Sequence, residues 1–136
     1  LTAGIRDLKE RFYPMAGIFP FGTKMKKGRS RLGYREAVLK EDSILGRAGD
    51  AVRGHEFHYS EIENSTEARK HGSAEAVSKI YHVKDGEGNR IYDEGYRIKN
   101  TLGSYIHVHF GSSGKIAGNF TDFIMSRKVL LRGEGA

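Results

Sequence analysis

The feature that most constrains the fold of this chain is a succession of short extended segments separated by turn residues. The segments alternate apolar with polar side chains or are rich in β-branched and aromatic residues, which is typical of strands. We predict strands at residues 15–19, 32–39, 51–60, 78–83, 90–92, 95–98 and 105–110. The run Asp85-Gly86-Glu87-Gly88-Asn89 is typical of a hairpin turn. The pattern therefore predicts a strand-rich domain.

Helices are predicted at the two ends of the chain. Leu1, Ile5 and Leu8 share one helical face, which predicts helix over residues 1–10. Spacings of three and four residues predict an amphipathic C-terminal helix with Ile116, Ala117, Phe120, Phe123, Ile124 and Arg127 on one face. The polar residues 61–76 lack a period and are predicted to form a loop. The predicted fold class is α/β, as a β-rich fragment with a C-terminal helix. A sheet of this kind needs more helices to cover its second face, which indicates missing structure.

Composition limits the possible functions. With 136 residues, 38% hydrophobic and 29% charged, the chain is predicted to form one soluble globular domain. No apolar run approaches the roughly 20 residues that span a bilayer, and no secretion signal is visible, so we expect a cytoplasmic protein without membrane contact. The chain has no cysteine, which excludes disulfides and a cysteine nucleophile within these residues.

The charge balance is basic, at +6 with a pI near 9.6, and basic residues cluster over residues 24–31. Such a run is a solvated loop in most proteins, but it can also attract a polyanion. A nucleic-acid-binding module is therefore one alternative function, which a strongly salt-dependent affinity for DNA would favour, but no nucleic-acid partner is expected.

Four of the six histidines form two close pairs, His55 with His58 and His107 with His109. Positions i and i+2 of a strand point to the same face, so His107 and His109 are predicted to project together. A pair of this kind can bind a metal, can place an acid or base near a pocket, or can be exposed without a task. No Asp, Glu or Cys completes a known metal signature beside either pair, so no metal site is predicted.

The stretch from Gly54 to Ser60 is unusually polar for a strand, with His55, Glu56, His58, Tyr59 and Ser60 in seven positions. Buried polar groups need partners, so this density is typical of the edge of a site. An edge strand in water explains the same residues.

Read in order, four stretches resemble the C-terminal amidotransferase domain of the cobyrinate a,c-diamide synthase family. They are Tyr13-Pro14-Met15-Ala16-Gly17-Ile18-Phe19-Pro20, Leu32-Gly33-Tyr34-Arg35-Glu36, Arg53-Gly54-His55-Glu56-Phe57-His58-Tyr59-Ser60 and Ser104-Tyr105-Ile106-His107-Val108-His109-Phe110-Gly111. The last two stretches are specific in combination. The resemblance covers about residues 1–125 and implies a partial class I glutamine amidotransferase-like domain over residues 1–136.

The resemblance also implies roles for particular residues. The family's catalytic histidine matches His107, and its cysteine nucleophile is expected a few residues before Leu1, so that the first residues continue the helix after that cysteine. His55, Glu56, His58, Tyr59 and His109 are then candidates for lining the site. The wider class has a Glu two residues after the histidine, where this chain has His109, so a Cys–His dyad is the expected arrangement.

For the whole protein, the resemblance implies a ligase that hydrolyses glutamine and amidates the a and c carboxylates of a corrinoid in cobalamin biosynthesis. ATP and Mg²⁺ would bind in an N-terminal synthetase domain that these residues lack, and no cofactor is expected in this chain. The residues alone are expected to be inactive. A hydrogenobyrinate or nickel-sirohydrochlorin a,c-diamide synthase is the alternative on the same scaffold.

Overall fold

The computed structural model describes residues 1–28 and 31–133, and it is a mixed α/β fold in which strands dominate. The strands are β1 (Gly4–Arg6), β2 (Phe12–Pro14), β3 (Gly22–Met25), β4 (Arg31–Leu39), β5 (Ala51–His58), β6 (Ser60–Glu63), β7 (Ser78–Lys84), β8 (Arg90–Ile98), β9 (Thr101–Gly103) and β10 (Ile106–Val108). The helices are α1 (Thr66–His71) and α2 (Ile116–Gly133). A short 3₁₀ turn, Phe110–Ser112, lies between β10 and α2. The predicted class, strand-rich with a C-terminal helix, is confirmed.

The chain divides into two compact units. The first unit comprises Leu1–Gly33, Glu56–Lys79 and Gly95–Ile106, and the second comprises Tyr34–His55, Ile80–Glu94 and His107–Ala136. One sheet has the strand order β2-β1-β3-β6 and belongs wholly to the first unit. A second sheet has the order β10-β5-β4-β7-β8-β9, and most of its strands contain residues of both units.

The core of the first unit is aromatic. Phe19 and Phe21 are buried and stack with their ring centroids 5.3 Å apart. Tyr96 packs against Phe21 at 4.8 Å, and Ile98 completes the cluster. Offset aromatic pairs of this kind add to the free energy gained from burial alone, so they stabilise a unit whose strands are only a few residues long.

The start of the chain differs from the predicted helix. Residues Gly4–Arg6 form β1, which pairs antiparallel with β2 and parallel with β3. Leu1 and Leu8, which suggested a helical face, are 52% and 54% exposed, whereas Ala3 is fully buried. The prediction of helix here was wrong because strand pairing on both sides of β1 outweighs a three-residue apolar spacing.

Two further segments also differ from their predictions. Residues 15–19 are not a strand, because β2 ends at Pro14 and Gly17 adopts a φ of +68°. Residues 61–76 are not only loop, since most of β6 and all of α1 fall within them. Ser65 caps α1 by accepting a hydrogen bond from the Ala68 N–H, and the acidic residue in its first turn and basic residues in its last are standard helix signals. That signal was present in the sequence.

Replacing Gly17 by Ala is expected to destabilise the chain by about 1–3 kcal/mol. Gly17 has a positive φ, and a Cβ there would collide with the carbonyl oxygen of His71. Gly118→Ala is the matched control, because nothing lies within 4 Å of its Cβ position in α2. Gly118→Ala should raise the free energy of unfolding of the chain by about 0.5–1 kcal/mol. Urea denaturation of both variants measures the difference, and equal midpoints would contradict it.

In the second unit, β4 pairs antiparallel with β7, and Val38 lies opposite His82. Leu39, Val52 and Tyr81 are almost fully buried. Burial raises the pKa of the Tyr81 phenol, so the phenol stays protonated. Asn119 of α2 donates a hydrogen bond to the Leu45 carbonyl at 2.9 Å, which ties the helix to the loop between β4 and β5.

Asp93 is held by three cationic or imidazole donors in the second unit. His82 Nδ1 and Arg90 Nη2 each donate to Oδ1 at 2.8 Å, and Lys40 Nζ donates to Oδ2 at 3.1 Å. These contacts, the His82 hydrogen bond foremost, hold the pKa of the Asp93 carboxyl well below its usual range.

Asp93→Asn is therefore expected to lower the free energy of unfolding at pH 7 by about 0.5–1 kcal/mol. A depressed pKa in the folded state stabilises the fold above the unfolded pKa near 4, and that contribution is lost as the pH falls below it. The variant should thus lose less stability than the wild type between about pH 4 and pH 2. Urea titrations at pH 7, 4 and 2.5 test this, and parallel losses in both proteins would contradict it.

Candidate active site

The burial of β5 alternates strictly along the strand. Val52, Gly54 and Glu56 are buried, while Arg53 and His55 are exposed. Successive side chains of a strand point to opposite faces. The structure therefore divides the predicted site residues of β5, with His55 on the exposed face and Glu56 on the buried one.

His55 and His107 form a stacked pair in the second unit. Their ring centroids are 4.8 Å apart with an interplanar angle of 11°, and both side chains are exposed. His107 Nδ1 lies 3.2 Å from the backbone carbonyl oxygen of His55. A carbonyl can only accept, so Nδ1 carries the hydrogen and a neutral ring has its basic lone pair on Nε2.

The segment that carries His107 is anchored to β5 through its backbone. The His109 N–H donates to the Arg53 carbonyl oxygen at 2.9 Å. Ser112 Oγ accepts from the Arg53 N–H at 3.2 Å. Arg53 is itself held by Glu36, whose Oε2 lies 3.0 Å from its Nε. These bonds fix the strand end from which the His107 ring projects.

His109 takes a different position from the one predicted. The strand predicted over residues 105–110 is shorter, because β10 spans Ile106–Val108 and His109 is the N-cap residue of the 3₁₀ turn Phe110–Ser112. The His109 side chain is exposed, and its ring lies beside Gly111, where an added Cβ would come within 2.9 Å of Cε1. Among the described residues, the ring contact and the hydrogen bond of His107 both go to His55.

His58 and Glu56 form a buried polar pair in the first unit. His58 Nε2 lies 3.2 Å from Glu56 Oε1, and the two side chains are 9% and 2% exposed. His58 Nδ1 donates to the Ser60 carbonyl oxygen at 2.6 Å, and the Tyr105 ring stacks on the imidazole at 3.9 Å. Because a carbonyl can only accept, Nδ1 carries the hydrogen, and Nε2 is the ring nitrogen that faces Glu56 Oε1.

Two members of this network, Ser60 and Tyr105, were not assigned from the sequence. The Ser60 hydroxyl and the Tyr105 hydroxyl are hydrogen-bonded at 2.8 Å. Tyr59 lies outside the network, 44% exposed, with its ring edge-to-face against Phe57 at 5.3 Å. The polarity of residues 54–60 was the available signal, and the contact to a tyrosine 45 residues away could not be read from it.

The basic run over residues 24–31 is partly neutralised. Lys24 pairs with Glu10 at 2.8 Å, and Lys26 pairs with Glu61 at 2.9 Å. Arg29 and Ser30, which belong to this run, lie outside the described residues.

Within residues 1–28 and 31–133, no group of three His, Cys, Asp or Glu side chains is arranged to hold a metal ion. Over the same ranges, neither α1 nor α2 is long and apolar enough to cross a membrane.

The sequence of residues 2–115 matches the family described as the CobB/CobQ-like glutamine amidotransferase domain, which places the chain in the glutamine amidotransferase class of proteins. The match spans most of the chain, so the chain belongs to that family.

Individual relatives agree with the family match. The chain is 31% identical over 120 residues to a cobyrinate a,c-diamide synthase of Leptospira interrogans, covering 88% of this chain and 25% of the relative. It is 35% identical over 118 residues to the Streptococcus sanguinis enzyme of that name, covering 87% and 24%. It is 36% identical over 123 residues to that of Syntrophotalea carbinolica, covering 90% and 26%. The chain thus spans about a quarter of the length of these curated relatives.

Proposed function

We propose that this chain carries the catalytic histidine of a glutaminase site and that His107 is its general base and acid. The observation that carries the proposal is the orientation of the ring. Nδ1 is held by the His55 carbonyl at 3.2 Å, so the basic Nε2 of an exposed ring is available to a reacting group. A histidine used for proton transfer needs this fixed tautomer.

In the proposed reaction, a cysteine outside these 136 residues supplies the nucleophile. His107 Nε2 accepts the thiol proton, and the thiolate attacks the side-chain amide carbon of glutamine. The C–N bond breaks as the proton passes from His107 to the departing ammonia. Water then attacks the thioester, the C–S bond breaks, and glutamate leaves while the thiol is restored. These residues alone, without the thiol, are proposed to release no glutamate.

In the proposed whole reaction, ammonia is used by a synthetase domain outside this chain. ATP and Mg²⁺ bind in that domain, and no residue of this chain is assigned to them. ATP phosphorylates the a and c carboxylates of a corrinoid, and ammonia displaces phosphate to form amides. The names of the relatives support cobyrinate as substrate. The protein is accordingly proposed to be a cytoplasmic ligase.

The test uses the full-length protein encoded by the gene, with either glutamine or ammonium chloride as nitrogen source. Cobyrinate, hydrogenobyrinate and nickel-sirohydrochlorin are supplied in turn with ATP and Mg²⁺. We expect glutamine-dependent amidation of cobyrinate with release of one glutamate per amide. If another tetrapyrrole is amidated in preference to cobyrinate, the proposed substrate changes and the proposed glutaminase remains. An absence of glutamate release with every acceptor would refute the glutaminase proposal.

A further inference from the structure

The His55 ring lies nearly parallel to the His107 ring, and this contact has no role in the proposed reaction. The centroid separation of 4.8 Å and the angle of 11° describe a nearly parallel, offset stack of two exposed imidazoles. Among the described residues no carboxylate contacts the His107 ring, whose hydrogen bond goes to the backbone at His55. A single backbone hydrogen bond restrains Nδ1, but by itself it limits rotation of the ring about the Cβ–Cγ bond only loosely.

A planar neighbour restricts that rotation. Stacked aromatic rings attract each other beyond the area that they bury, and the preference is for specific relative orientations. The backbone that carries His55 is itself held in place. Its strand, β5, is paired in the sheet, and the N–H of Arg53, two residues before His55, donates to Ser112 Oγ at 3.2 Å. His55 therefore holds the His107 ring at two points, through its carbonyl oxygen and through its ring face.

We infer that His55 is a positioning residue for His107, with its side chain fixing the plane of the base while its carbonyl fixes the tautomer. The inference rests on the proposed function and deepens it. His55 takes no part in bond making, so the requirement at position 55 is for a flat ring and not for a basic nitrogen. His109 does not supply this support, because its ring lies beside Gly111.

The test compares His55→Phe, His55→Leu and His55→Ala in the full-length protein, by glutamine hydrolysis and by ammonia-dependent amidation. Phe keeps a flat ring without a basic nitrogen, and its kcat for glutamine hydrolysis should stay within about twofold of the wild type. Leu and Ala remove the ring, and kcat should fall about 3- to 10-fold with KM for glutamine within about twofold. Ammonia-dependent amidation should be unchanged in all three.

His71→Ala is the matched control, because His71 is also an exposed histidine in an aromatic stack, 5.8 Å from the Phe12 ring. It should leave kcat unchanged. The dependence of kcat/KM on pH separates the possible roles of His55, since His55→Phe should keep the wild-type shape of the profile.

Each outcome decides the inference. A His55→Phe protein as inactive as His107→Ala would make His55 a base and overturn the positioning role. So would wild-type kcat in both His55→Leu and His55→Ala. A wild-type protein that hydrolyses no glutamine would instead refute the proposed function, which is a different result from an active wild type indifferent to position 55.

Discussion

The full-length protein with His107→Ala is expected to lose glutamine hydrolysis by about 10²- to 10⁴-fold, while amidation supported by ammonia stays within about twofold. In the proposed reaction, His107 Nε2 accepts the proton of the thiol and donates it to the leaving ammonia. Free ammonia bypasses that chemistry, so the second half of the reaction should not depend on His107.

His107→Asn separates basicity from position. An Asn side chain can still donate to the His55 carbonyl oxygen, which lies 3.2 Å from Nδ1 in the native protein, but it has no basic nitrogen. We expect it to be as inactive as the Ala variant. Glutaminase activity near the wild-type value in either variant would require another base and would remove His107 from the reaction. Loss of the ammonia-dependent reaction as well would indicate a folding defect, and circular dichroism checks for one.

Glu56→Ala is expected to destabilise the chain by about 3–5 kcal/mol, the largest stability effect that we predict. The Glu56 and His58 side chains are 2% and 9% exposed, so removing the carboxylate leaves the imidazole buried without its acidic partner. A small domain has a total stability of only about 5–15 kcal/mol, so much of the chain should be unfolded at moderate urea concentrations.

Two further variants distinguish a polar-pair effect from a simple cavity. Glu56→Gln keeps the volume and can donate to His58 Nε2 while Nδ1 continues to donate to Ser60, so we expect a loss of only about 1 kcal/mol. Replacing both partners, as Glu56→Met with His58→Leu, should destabilise less than Glu56→Ala alone, because the buried imidazole is removed together with the carboxylate that it contacts. Urea denaturation measures all three. A Glu56→Ala protein within 1 kcal/mol of the wild type would show that the pair contributes little to folding.

Much of the strand content was predictable from local pattern. The segments predicted at residues 32–39 and 78–83 became β4 and β7 with nearly the predicted bounds, and the two segments predicted at 90–92 and 95–98 are joined in the single strand β8. The C-terminal helix was confirmed, although Ile124 and Met125 on it are 48% and 58% exposed. These segments were predicted correctly because the alternation of a strand and the three- and four-residue spacing of a helix appear within each segment's own residues.

The start of the chain shows where local pattern fails. Residues 4–6 form a strand only because β2 and β3 supply partners on both sides, and β3 begins 18 residues after Gly4. No property of a three-residue segment specifies such partners. The α1 helix, in contrast, carries a recognisable cap at Ser65, so its absence from the prediction reflects a signal that was overlooked.

By itself the sequence indicated the candidate site residues, through two pairs of histidines, a polar strand over residues 54–60 and a family resemblance that includes His107. Only the tertiary structure decided how they group. Alternation along β5 separates His55 from Glu56, and sheet formation places His55 beside His107, 52 residues further along the chain. The physical reason is that the partner of a strand, and of a buried imidazole, is chosen by backbone hydrogen bonding and packing between distant segments, which a local pattern does not encode.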